Sequence, residues 1–468
     1  MIKHPSFARS SSASSSLCTL RGMVVDGTHG PRPREVKFDP ASGLIVAVQE
    51  LRSADLPQEA TEEDLPSGKL YAFGPQDYIL AGLGDLHVHA REDVSGKLND
   101  VEDFVSAGQA ALAGGITYFA DMPNNPLPPI DDASYLAKLA LTGRAGLPIF
   151  LYAALNDFTR PLSFAVPYKA FLTSPNVKLA LTKKDNLAFY RQAWVSFHGE
   201  DQTVVANAAG GATHQLRRPV QAEVIAIQNI LAWAKEFSLT ARICHVTSKD
   251  ALDVILAAQA RDTFWRSHLM TEVTLNHLCF SDANTDLENP MFNVNPPLRA
   301  ECHRQALWAA WKNGQIQILA TDHAPHPLAA KKQGASGLPG LECWAGILSD
   351  LYHQALAEGM AADEVLKRIA QTTAENPAQW VNNFLPTWQR AALASLNHFY
   401  PQLGQGLGKI APGYSASFSI LNFASPWQFQ EGDIKSKMRW SPWLGHEFSG
   451  GLKGIFVQGK AVSIPHQN

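Results

Sequence analysis

Between residues 81 and 400, short apolar runs alternate with segments of helical period, and this alternation leaves few architectures open. Ile149–Ala153, Val177–Leu181, Val195–His198, Ala241–Val246, Thr271–Leu275 and Gln317–Ala320 are short and apolar, as buried strands are. Val224, Ile227, Leu231 and Ala234 instead recur at spacings of three and four, one face of a helix. Strand followed by helix, repeated, requires parallel pairing with crossover helices. With so many units, the α/β class and a closed TIM-like (β/α)8 barrel are predicted for 81–400. The ends read differently. Gly22–Val25, Glu35–Phe38 and Leu44–Val48 near the start, and Ser415–Leu421 and Gly454–Val457 near the end, are strand candidates set among Gly and Pro punctuation. Residues 18–80 plus 401–468 are therefore expected to build one small β-sandwich domain from both chain ends. Residues 1–17 read as a disordered lead, because the Ser10–Ser16 run is too polar for a secretory leader.

The 468 residues fit a barrel with one smaller domain. A net charge of −4 with no basic stripe or tail argues against nucleic-acid binding. No apolar run is long enough for a membrane span. Cys18, Cys244, Cys279, Cys302 and Cys343 are odd in number and widely spaced, without a CxxC pair. Neither a disulfide framework nor a thiolate zinc site is expected, and a reducing, cytoplasmic compartment follows.

Histidines fall where barrel strands should end. His87 and His89 are two apart, so on a strand both imidazoles point to one side and can reach one ion. His198 ends Val195-Ser196-Phe197, and His245 follows Ile243-Cys244. Asp322, in Thr321-Asp322-His323-Ala324-Pro325-His326, follows the run Ile316–Ala320. Taken singly, a histidine at a strand end is more often structural, and an aspartate there is equally a loop cap or a metal ligand and proton carrier. The conjunction carries the argument: a barrel delivers all its C-terminal strand ends to one face, so residues distant in sequence converge there.

The order HxH, H, H, D resembles that of the amidohydrolase superfamily, and the flanking residues resemble dihydroorotases in particular. The motifs are His87-Val88-His89-Ala90-Arg91-Glu92, Met122-Pro123-Asn124, Arg218-Pro219 with Glu223, His245-Val246-Thr247, Glu272-Val273-Thr274, Asn295-Pro296-Pro297-Leu298-Arg299, Thr321 to His326, and Ser336-Gly337-Leu338-Pro339-Gly340-Leu341-Glu342. Gly408–Leu421 resembles the family's small terminal β-domain. The resemblance implies a barrel of the metal-dependent hydrolase type and two zinc ions per chain. His87, His89 and Asp322 would hold one, and His198 and His245 the other. A carboxylated lysine, matched here by Lys178, would bridge them. Arg91, Asn124 and His326 match positions that hold a substrate carboxylate, and Asn295 and Arg299 match a further substrate-contacting segment. Asp322 would serve as general base and then general acid.

The implied activity is reversible hydrolysis of the cyclic amide of dihydroorotate to N-carbamoyl-aspartate, in pyrimidine biosynthesis. A sibling cyclic amidohydrolase (hydantoinase, dihydropyrimidinase or allantoinase) and a non-catalytic homologue stay open, as does a homo-oligomer. The pattern departs from the family in three places. Asp93-Val94 stands where Pro-Gly is common. Leu275-Asn276-His277-Leu278 keeps only one histidine of a usual pair. Lys178 lies only 20 positions before His198, which leaves Lys183, Lys184 and Asp185 as competitors for the bridge.

Overall fold

The computed structural model describes residues 16–65, 68–174 and 180–463. The predicted disordered lead over 1–17 therefore lies almost wholly outside the described residues.

The chain opens with β1 (Cys18–Asp26), β2 (Gly30–Asp39), β3 (Leu44–Glu50), β4 (Thr61–Leu65), β5 (Gly68–Ala72) and β6 (Asp77–Ala81). The barrel strands follow: β7 (Leu83–Val88), β8 (Ile116–Asp121), β9 (Ile149–Leu151), β10 (Ala153–Leu155), β11 (Tyr168–Phe171), β12 (Trp194–His198), β13 (Thr240–Ile243), β14 (Leu269–Thr274) and β15 (Ile318–Ala320). The tail adds β16 (Phe418–Asn422), β17 (Trp427–Gln428), β18 (Glu447–Phe448), β19 (Gly451–Val457) and β20 (Lys460–Ala461).

The middle of the chain is a parallel barrel. β7, β8 and β9 pair in one group, and β10 to β15 pair in sequence order in another. β9 and β10 are one strand position interrupted at Tyr152, so the circuit has eight positions. It closes where Val88 bridges His323 and the His89 N–H donates to the His323 carbonyl at 2.8 Å. Helices follow the strands, and several begin on a side-chain cap. Asp103, Asp131 and Ser248 accept from the N–H three residues on, satisfying a donor that the first helical turn leaves free.

The predicted strand at Val177–Leu181 falls mostly on residues outside the description. The strand in that part of the barrel is β11, only four residues long with a lysine at its second position. So short a run carries no legible period.

The two ends do meet in one sheet, ordered β20-β19-β16-β6-β1-β2-β3. This sheet forks at β1. β1 pairs with β5 through Thr19–Arg21 and with β6 through Met23–Val25, and the terminal strands carry an apolar core of their own. Leu20, Val36, Phe38, Ile79, Phe418, Ile420 and Phe456 fill it. Each such side chain, fully buried, contributes about 1.5–3 kcal/mol. Between β16 and β19 the tail leaves this sheet and runs to the barrel. There Glu342 accepts from the N–H groups of Lys435 and Ser436, and the Trp440 indole donates to the His326 carbonyl at 2.8 Å.

Candidate active site

The C-terminal ends of the barrel strands surround a cavity of about 220 Å³. His87, His89, Arg91, Asn124, His198, His245, Asn295, Asp322 and His326 all line it, so nine sequence-predicted residues meet in one place.

His87 is near the end of β7 and His89 just beyond it. Their Nε2 atoms lie 3.2 and 3.1 Å from the same oxygen of Asp322. Their Nδ1 atoms face acceptors, Glu272 Oε1 at 2.7 Å and Asn124 Oδ1 at 2.6 Å. Each Nδ1 therefore carries the proton, and each Nε2 lone pair points into the cavity. His198, the last residue of β12, is turned the other way. Its Nε2 donates to Glu200 at 2.9 Å, and its Nδ1 lies 2.9 Å from His245 Nε2. Arg218 holds Glu200 from behind at 2.6 Å.

Burial drives the His87 and His245 imidazoles well below the usual imidazole value and lowers His198 as well, so the ring nitrogens are available as neutral donors of electron pairs. His245 and Asp322 have φ of 40° and 50°, the left-handed region that side chains rarely adopt. Both sit just past their strands, where this bend turns the side chain over the barrel mouth.

The donor set fits a metal ion. Ligand atoms of His87, His89 and Asp322 lie within 4.8 Å of one another, and two further imidazoles oppose each other nitrogen to nitrogen beside them. Imidazole with carboxylate is the ligand chemistry of zinc and similar cations.

Lys178 lies outside the described residues. Lys183, Lys184 and Asp185 are exposed, and Lys184 pairs with Glu236 at 3.1 Å. Among the described residues, the lysine that reaches the histidines is Lys169, on β11. It is fully buried, its Nζ donates to Cys244 Sγ at 3.0 Å, and it is close enough to His87, His198, His245 and Asp322 to influence their charge. Its signal in the sequence was a charge inside Tyr168-Lys169-Ala170-Phe171, 29 residues before His198.

Arg91, with φ of 63°, is buried beside the cavity. Its Nη2 contacts His326 Nε2 at 3.2 Å, while its Nε has no partner. Among the described residues no carboxylate forms an ion pair with it. Burial, then Arg91, brings His326 down to about 3, so that ring is neutral. Gly337 packs against the His326 loop at φ +140°, where a Cβ would sit 2.4 Å from the Ala324 carbonyl; only glycine fits. Asn295 reaches the cavity with a buried, unpartnered Oδ1. Arg299 does not reach it: its guanidinium donates to Thr247 Oγ1 and to the Arg218 carbonyl, bracing the wall behind.

The departures from the family pattern have local explanations. Asp93 accepts from the N–H groups of Ser95 and Leu127, tying two loops together. His277 is buried between Thr274 Oγ1 at 2.7 Å and the Pro296 carbonyl at 3.1 Å, so it anchors the segment that carries Asn295.

No family model matches the chain. Among curated proteins, a dihydroorotase of Thermococcus kodakarensis is 28% identical over 408 residues, covering 86% of this chain and 88% of that one. A dihydroorotase of Pyrococcus furiosus is 28% identical over 385 residues, covering 82% and 81%. An allantoinase of Streptomyces avermitilis is 27% identical over 469 residues, covering 95% and 94%. Among solved structures, an L-hydantoinase (dihydropyrimidinase) from Arthrobacter aurescens superimposes with a TM-score of 0.77 at 21% identity, covering 95% of this chain and 96% of that one. The chain thus shares the fold of hydantoinases and resembles dihydroorotases along most of its length. Among the described residues no helix is long and apolar enough to cross a membrane, and all five cysteines are free.

Proposed function

We propose that this chain is a metal-dependent cyclic amidohydrolase, and within that class a dihydroorotase that interconverts dihydroorotate and N-carbamoyl-aspartate. The likeness to proteins named dihydroorotase, allantoinase and hydantoinase supports the class. One observation carries the choice within it: the buried Arg91 guanidinium, with an unpartnered Nε and no ion pair, beside His326 at the rim of the histidine cluster. A buried cation without a counter-charge is costly. A substrate carboxylate supplies the missing partner, and the planar guanidinium fork matches it. Dihydroorotate carries such a group on its ring; dihydrouracil and hydantoin do not.

In this reading His87, His89 and Asp322 would hold one zinc, and His198 and His245 a second. Lys169 would supply the anionic ligand shared by the two halves, as the carbamate formed when its amine adds carbon dioxide and releases a proton. Zinc bound there supplies a lowered pKa for water and polarisation of the amide carbonyl. The protein does the rest. Arg91 and His326 fix the ring by its carboxylate, with Asn295 on the facing wall. Asn124 keeps the His89 ring oriented. Asp322 takes a proton from the attacking water at Oδ1 and returns it to the ring nitrogen that leaves.

The test is turnover of dihydroorotate, dihydrouracil, hydantoin and allantoin side by side, with metal content measured on the same sample. Two such hydrogen bonds predict at least about a hundredfold preference for dihydroorotate in kcat/KM. Equal turnover of a neutral ring would hand the assignment to a sibling hydrolase.

A further inference from the structure

Directly beneath the histidines, the barrel interior holds a charged pair that the proposed chemistry leaves without a task. Glu272 on β14 and Arg242 on β13 have no exposed side-chain surface. Glu272 Oε2 accepts from Arg242 Nη1. Arg242 also donates to Ser196 Oγ at 3.0 Å, to the Leu86 carbonyl at 3.1 Å and to the Tyr152 hydroxyl at 2.8 Å, so its guanidinium ties four other barrel positions to its own. A buried ion pair is a poor source of stability, since apolar packing of equal volume often does as well. What apolar packing cannot do is direct a proton.

The other oxygen of Glu272 does that twice. Oε1 accepts from His87 Nδ1 at 2.7 Å and from the His245 backbone N–H at 3.2 Å. The first bond fixes the tautomer of His87 and aims its Nε2 at Asp322. The second holds His245 at φ 40°, a conformation that needs outside support. His87 and His245 belong to different halves of the histidine cluster, and their rings are 5.3 Å apart. We infer that Glu272, clamped by Arg242, is a positioning residue that sets one ligand in each half of the metal centre before any ion arrives. This rests on the metal-centre part of the proposed function and is independent of the substrate assignment.

The experiment is equilibrium binding of Zn²⁺ and Co²⁺ to the metal-free full-length chain, buffered with a competing chelator. It compares the wild type, Glu272→Gln, and the double variant Arg242→Met with Glu272→Gln, which leaves no unpaired buried charge. Outer ligands of this kind typically govern metal affinity by about 10- to 100-fold. Both variants should bind more weakly by that factor, with an altered Co²⁺ visible spectrum, and the double variant should keep the wild-type circular dichroism. Wild-type affinity and spectrum in either folded variant would overturn the inference. A wild-type protein that binds no metal would overturn it together with the metal centre. A protein that shows the Glu272 dependence yet turns over no dihydroorotate supports it, while removing the substrate assignment.

Discussion

Replacing Arg91 by methionine keeps the length of the side chain and removes its charge. In the wild-type chain the guanidinium contacts His326 at 3.2 Å and the Pro325 carbonyl at 3.5 Å, a long and weak pairing, and its Nε is unsatisfied. A carboxylate bound across the fork gains two charge-assisted hydrogen bonds, each worth about 1.5–3 kcal/mol. Losing both costs roughly 3–6 kcal/mol, which is about a hundred- to ten-thousandfold in kcat/KM for dihydroorotate. A neutral ring never made those bonds, so its slow turnover should change by less than about threefold. The free protein should not suffer, because the change removes a buried charge that had no partner. The assay follows loss of the ring amide by ultraviolet absorbance for dihydroorotate and dihydrouracil. Elemental analysis and thermal melting are run on the same preparations. An equal fall for both substrates at unchanged metal content would refute the reasoning, because Arg91 would then shape the cavity and bind no carboxylate.

Lys169→Ala should lose metal and activity together, and added short carboxylates should restore part of the activity; full metal content in this variant would remove Lys169 from the centre. His198→Ala should lower metal content, whereas Glu200→Gln, which only backs His198, should weaken metal binding about tenfold or more without abolishing it; no change in either by elemental analysis would break that half of the site. His277 is buried and neutral, its pKa lowered from 6.5 to about 4 by burial. The folded state then binds fewer protons than the unfolded chain between those values, so this contribution is intact above pH 6.5 and drains away as pH falls toward 4, by roughly 3 kcal/mol. In denaturant titrations of the metal-free protein, His277→Asn should be less stable at pH 7.5 but lose less on acidification than the wild type; parallel curves would count against it.

How much of this was legible beforehand depended on whether a residue's role could be stated locally. His87 and His89 share a strand face by simple alternation, and His198 closes an apolar run, so their common exit at the barrel mouth could be read from spacing and the barrel rule together. Lys169 could not. Its strand is four residues long, and a lysine flanked by Tyr168 and Ala170 looks like an interruption until the neighbouring strands are present to bury it. The apolar run around Lys178 offers a longer strand to a reading by period, and most of it lies outside the described residues. Arg299 shows the opposite case. It lies in a motif that resembles a substrate-contacting segment, yet its Nε and Nη1 donate to Thr247 and the Arg218 carbonyl, partners 52 and 81 positions away, and only Nη2 is left without a partner. The tail carries a second partnership that period does not show. Its strands give it a β-domain signature, but the segment between β16 and β19 owes its course to Glu342 and His326 on the barrel, and a capping carboxylate or an indole hydrogen bond leaves no periodic trace. Local period identifies which segments become strands and where they end. Which side chain occupies the centre is decided by polar groups that need one another across the barrel, as Glu272 needs Arg242 and His87 needs Glu272. Such pairing becomes visible only once the strands are set in their circular order.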